Sequence, residues 1–310
     1  MRRRNPTVAC LAGAGTAPEL MAEAVLAMAA VGRLHGVALD DVHPVFGAAA
    51  LARAGQPLPA ATRDAVLAAD AILVGGADDP ALAELMAELD LRARVTRVRF
   101  DRLHDVALVA PVAAGAEEWS LEAAFALAES RGLRLAAVGD ADWHDLVESV
   151  AADHEHVFVD RLSPRVAIPL AAFDAARFDV VAVEERWAEP LIEIAAASAP
   201  ARVAAHGLLA EHGPSLFVPS PEGGFALAGH GVVNPSSMLL AAAMLLGHGL
   251  GETGAAATLA GAVSAALVDG PQTPDLLRRG LGATTREFTS RVVAGFQLAL
   301  RNAEFWAGAA

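Results

Sequence analysis

Short apolar runs alternate along the chain with longer, Ala-rich stretches of helical period. Thr7–Leu11, Asp70–Val74, Val106–Val109, Leu135–Val138, Val157–Val159, Val180–Val183 and Ser215–Val218 read as strands. Pro18 and Glu19 open a helix that reaches about Val31, with the early proline and first-turn acid that a helix start prefers. Further helices are expected at about 79–90, 118–131, 143–152, 189–199, 235–248, 252–269 and 285–304. Strand–helix alternation of this kind predicts an α/β fold with a mixed or parallel sheet.

Composition agrees. Hydrophobic residues make up 55% of 310 and aromatics only 5%, with a mean hydropathy of +0.41. The core is therefore rich in alanine and poor in large anchors. A net charge of −14 argues against a nucleic-acid partner, which selects basic surfaces. One local basic cluster stands out, Arg92, Arg94, Arg97, Arg99 and Arg102. It reads either as salt-bridged surface or as an anion site. Cys10 is the only cysteine, so no disulfide forms within the chain. That fits a reducing, cytoplasmic setting. Cys10 lies in an apolar run and reads as a buried strand residue. The basic start lacks the apolar region of a signal peptide. The run Met238–Leu246 is too short for a bilayer, which needs about 20 residues. All 23 basic residues of the Lys+Arg total are arginine, and tyrosine is absent.

Gly13-Ala14-Gly15 follows a strand, but Pro18 stands where a dinucleotide fingerprint needs its third glycine. A tight strand–helix turn is the better reading. His154-Glu155-His156 reads as a polar loop.

Three ordered stretches carry a resemblance. They are Val8–Glu19, then Gly47–Gly75 with Gly55-Gln56-Pro57-Leu58-Pro59 inside it, then Leu216–Pro235 followed by Ala241–Leu246. Together they resemble the isocitrate/isopropylmalate dehydrogenases, the β-decarboxylating dehydrogenases. The resemblance implies a two-lobe α/β fold with a mixed sheet. The first lobe would span 1–92 plus 203–310, and the second, 93–202, would be inserted in it. It also implies a homodimer, or a heteromer with an active relative, acting on a small carboxylate. Helix 235–248 is the expected dimer surface. The second lobe is short, with little room between Gly115 and Phe125 for an arm that clasps a partner.

The same resemblance assigns the site. Substrate carboxylates would fall to Arg92, with Arg97 or Arg102 as a second binder. The position of a further family arginine is Ala110, and no tyrosine follows it. Asp140 stands at the family's lysine position and Asp142 at an asparagine, which makes them the candidate proton-handling residues. Asp160, Glu189 and Glu193 match metal carboxylates suited to Mg²⁺ or Mn²⁺. Read alone, Glu189 and Glu193 form a solvated helix face. Asp140 among these carboxylates would hold a metal or carry a raised pKa. NAD contacts would fall to Asn234 and Leu227, although Asn234-Pro235 also suits a helix start. Two functions stay open. One is a divergent relative without the standard oxidative decarboxylation, kept for ligand binding, regulation or assembly. The other is an active or repurposed NAD- and Mg/Mn-dependent dehydrogenase or decarboxylase acting on a 2-hydroxy di- or tricarboxylic acid.

Overall fold

The first strand, β1 (Thr7–Leu11), is apolar without alternation because both its faces are covered. Val8, Ala9, Cys10 and Leu11 are each at most 1% exposed. The computed structural model describes residues 4–76, 80–99, 105–199, 203–220, 225–277 and 282–307. After β1 come α1 (Ala17–His35), β2 (Asp40–Val42), α2 (Gly47–Ala54), α3 (Ala60–Leu67), β3 (Ala71–Val74) and α4 (Pro80–Met86). The chain then forms β4 (Leu91–Arg99), β5 (Asp105–Pro111), α5 (Glu117–Glu129), β6 (Arg134–Val138), α6 (Ala141–Ala151) and β7 (Phe158–Leu162). These lead to α7 (Pro164–Asp174), β8 (Val180–Val183), α8 (Glu185–Ser198) and β9 (Val203–Ala210). It closes with β10 (Ser215–Pro219), α9 (Ser236–Met244), a π-helical turn at Leu245–Gly249, α10 (Thr253–Asp269) and α11 (Thr285–Ala307).

Two compact units result, Met1–Leu89 with His212–Ala310, and Asp90–Glu211. The sequence reading set these boundaries at 92/93 and 202/203. They fall outside β4 and β9 because those strands pair from Leu91↔Ala210 to Arg99↔Val203, which carries both whole into the second unit.

The first unit has parallel strands in the order β2-β1-β3-β10. Its tight β3 exit depends on Gly75. A Cβ there would lie 2.0 Å from the Ala12 carbonyl oxygen and 2.6 Å from the Ala17 Cβ. Helices α1, α9, α10 and α11 pack on one another. Every residue of α9 from Ser236 to Met244 is buried within this one chain. The part of helix 235–248 from Ser236 to Met244 is thus covered without a partner chain.

The second unit orders its strands β9-β4-β5-β8-β6-β7. β4 runs antiparallel to both β5 and β9, while β5, β8, β6 and β7 are mutually parallel. The sheet is therefore mixed. One face packs on α7 and α8 through Val98, Val106, Leu108, Val181, Val183, Ala167 and Leu191. Helix α5 packs on β4, β5, β6 and β8, with Leu121 and Phe125 fully buried. Among the described residues, no helix is long and apolar enough to cross a membrane.

Candidate active site

Asp140 sits where β6 has just ended. It is the N-cap of α6 and accepts a hydrogen bond from the Trp143 N–H at 3.3 Å. Its own N–H donates to Glu184 Oε2 at 3.2 Å. Arg186 donates to the Asp140 carboxylate and, through Nε, lies 2.6 Å from Glu184 Oε1. The Trp143 N–H and then Arg186 hold the Asp140 carboxyl below its ordinary range. The expectation of a raised pKa is thus overturned, since a cation and backbone donors face this group. Asp142 lies exposed in the first turn of α6.

The arginine run is a strand, β4, and its charges are matched within the chain. Arg92 lies 2.9 Å from Asp90 and 3.1 Å from Glu211. Arg97 Nε donates to Asp105 Oδ2 at 2.7 Å. Asp105 also takes Arg131 Nη1 at 3.2 Å and lies 3.6 Å from Arg99 Nη1. Burial works against the Asp105 charge, but Arg97, Arg99 and Arg131 outweigh it and hold its carboxyl far below the usual range. Arg131 Nε in turn donates to Asp179 at 2.6 Å. Arg102 lies outside the described residues.

Glu189 and Glu193 lie exposed on α8. The helix begins at Glu185, four residues earlier than expected, so Pro190 lies inside it rather than in its first turn. Glu189 Oε2 accepts from Arg94 Nη1 at 2.9 Å. Beside them His206 pairs with Thr96 Oγ1 at 2.9 Å through Nδ1. Burial, then Arg94, lowers the His206 pKa to about 4, against an opposing pull from Glu189. This imidazole is neutral at physiological pH. Asp160 lies on β7 and lines a cavity of about 260 Å³ with Arg134, Arg177, Asp179 and Phe158. Among the described residues Asp160, Glu189 and Glu193 do not converge into one three-ligand group within the chain. With Glu189 already matched by a guanidinium, the arrangement does not fit an open divalent-ion site.

In the first unit Asn234 is 3% exposed and its side chain is bonded at both ends of the amide. Its Oδ1 accepts from the Ser236 N–H at 2.9 Å, and its Nδ2 donates to Thr273 Oγ1 at 3.0 Å. Its N–H donates to Asp275 Oδ2 at 2.9 Å. Leu227 ends a short 3-10 turn at Phe225–Leu227. Both ends of the Asn234 amide are therefore already engaged in holding the start of α9.

The sequence reading took Arg94 only as one of the basic cluster and gave it no partner. His206 had no motif to flag it. His154, read as polar loop, is clamped between Glu129 at 2.8 Å and Glu122 at 3.0 Å and stacks on Phe125.

A family model described as isocitrate/isopropylmalate dehydrogenase matches residues 206–292. The 3-isopropylmalate dehydrogenase of Pseudoalteromonas translucida is 27% identical over 95% of this chain and 99% of its own length. That of Streptococcus mutans is 28% identical over 93% and 98%. A β-decarboxylating dehydrogenase from Thermococcus kodakarensis superposes with a TM-score of 0.83 at 22% identity, covering 97% of this chain and 99% of that one. The chain is thus similar over nearly its whole length to the isocitrate/isopropylmalate dehydrogenases. Isocitrate dehydrogenase from Methylococcus capsulatus shares the fold at a TM-score of 0.78 and 20% identity. The alignment with the first relative runs over 357 positions against 310 residues here, so it opens gaps in this chain.

Proposed function

We propose that this chain is a family member that does not carry out the standard oxidative decarboxylation. It serves instead as a ligand-binding, regulatory or structural relative, paired with itself or with an active relative. The observation that carries this reading is Asp140. At the position where the resemblance puts a proton-handling lysine, the chain has a carboxylate that caps α6 and pairs with Arg186. A carboxyl held below its ordinary pKa is charged at neutral pH and is a poor proton carrier there. Arg92 and Arg97, the nominated carboxylate binders, support the same reading because each already has acidic partners.

The test is turnover. The purified chain is mixed with NAD⁺ or NADP⁺, Mn²⁺ and either 3-isopropylmalate or isocitrate, and absorbance at 340 nm is followed. No rise above the protein-free blank is expected. A protein-dependent rise that Asp140→Asn abolishes would establish the alternative, an active or repurposed dehydrogenase.

A further inference from the structure

We propose that Arg94 is a built-in counter-cation, its guanidinium holding Glu189 in the place of a divalent metal ion, so that the wild-type α8 carboxylates do not bind one. The β4 register sets Arg94 opposite Ala110 on β5 and Leu208 on β9. Neither neighbour offers a charge. The guanidinium instead reaches α8 and meets Glu189 at 2.9 Å. The two partners differ in freedom. The Arg94 side chain is 25% exposed and issues from a strand flanked on both sides, whereas Glu189 is 62% exposed. The fixed member of the pair is the cation.

Its surroundings make that cation count. Thr96, next along the same face, is fully buried and hydrogen-bonded to His206. The imidazole is neutral, so within the contact itself the Arg94 guanidinium cancels the Glu189 carboxylate. A dication seated on Glu189 would face the guanidinium across a few ångströms of partly desolvated space. Like charges in such a setting repel far more than in water. Glu193, one turn further on, shares the helix face with Glu189 and is exposed. Removing the guanidinium therefore leaves Glu189 without its counter-ion on the face it shares with Glu193, which is a cation-binding arrangement.

Mn²⁺ binding, read as loss of the free-ion EPR signal, tests this without any catalytic step. Wild type, Arg94→Lys and Glu189→Gln should leave the free signal at its buffer value. Arg94→Gln should bind Mn²⁺ at least tenfold more tightly than wild type, and adding Glu189→Gln should remove that gain. Arg94→Met, which keeps an apolar stem, replaces Arg94→Gln if circular dichroism shows the latter unfolded. Wild-type binding that Glu189→Gln abolishes would overturn the proposal. So would a folded neutral variant that binds no better than wild type. Neither outcome depends on turnover, so this proposal and the proposed function fail separately.

Discussion

Asp105→Asn removes one charge from the most enclosed ionic network in the second unit. Asp105 is 8% exposed and faces three guanidiniums, of Arg97, Arg99 and Arg131. The variant keeps the shape but leaves those cations short of a counter-charge. Breaking a buried pair from one side costs about 3–5 kcal/mol. Arg97 and Arg131 are each 19% exposed, and Arg131 keeps Asp179, so the lower end, about 3 kcal/mol, is expected. Urea unfolding followed by far-UV circular dichroism at pH 7 measures it. Glu84→Gln is the control. Its pair with Arg63 is 53% and 34% exposed, so less than about 1 kcal/mol should be lost. The pH dependence gives a second check. The Asp105 carboxyl is held far below its unfolded value of about 3.9, so its contribution is complete above that pH and fades as pH falls toward the folded value. The gap between wild type and variant should stay constant from pH 7 to about 5 and narrow below about 4. A loss within 1 kcal/mol of zero at pH 7, or a gap that widens in acid, refutes the reasoning. It would also reopen Arg97 as an available carboxylate binder.

Three other outcomes follow from the same physics. Glu129, then Glu122, raise the His154 pKa, so its clamp stabilises the fold below the unfolded histidine value and is lost as pH rises through the raised one. His154→Gln should cost about 1 kcal/mol near pH 6 and progressively less toward pH 9 in thermal melts, and a pH-independent difference would refute the clamp. Cys10 is 1% exposed and burial pushes its thiol up to about 12, so a disulfide reagent should leave it untouched in native buffer and titrate it fully in denaturant. Asp140→Ala should lower the urea midpoint through the lost N-cap; no change would remove the structural role given to this residue.

The parts of the fold legible in the sequence are those whose signal is local. The parallel strands β1, β3 and β8 are short runs, apolar apart from Thr7, and α10 and α1 are long and alanine-rich. β4 was missed as a strand because four of its nine residues are arginine, which reads as surface. Its charges are tolerable only because Asp105, Glu189 and Glu211 arrive from 6 to 119 positions away in the chain. β9 failed for a related reason. Its alanines and His206 have weak strand preference, and the β4 pairing rather than propensity makes them a strand. Helix α7, with Pro169 inside it, carries a helix-breaking residue in its interior and gained no helical reading.

The site divides along the same line. Motif spacing located Asp140, Glu189 and Glu193, and each sits at a strand exit or on a helix face where chemistry could be carried. Spacing says nothing of what neutralises them. Arg186 lies only 46 residues from Asp140, and Arg94 lies 95 from Glu189, yet both pairings depend on which strands lie side by side. Without the partners, a row of carboxylates reads as a metal site with raised pKa values. With them, the Asp140 charge is held on by a helix start and a guanidinium, and the Glu189 charge is answered by a cation from β4. A carboxylate singled out by motif spacing is therefore interpretable only with its counter-charge. An unpaired anion at Asp140 would be a reactive group, but Arg186 meets it, so this charge is built into the fold rather than left over in it.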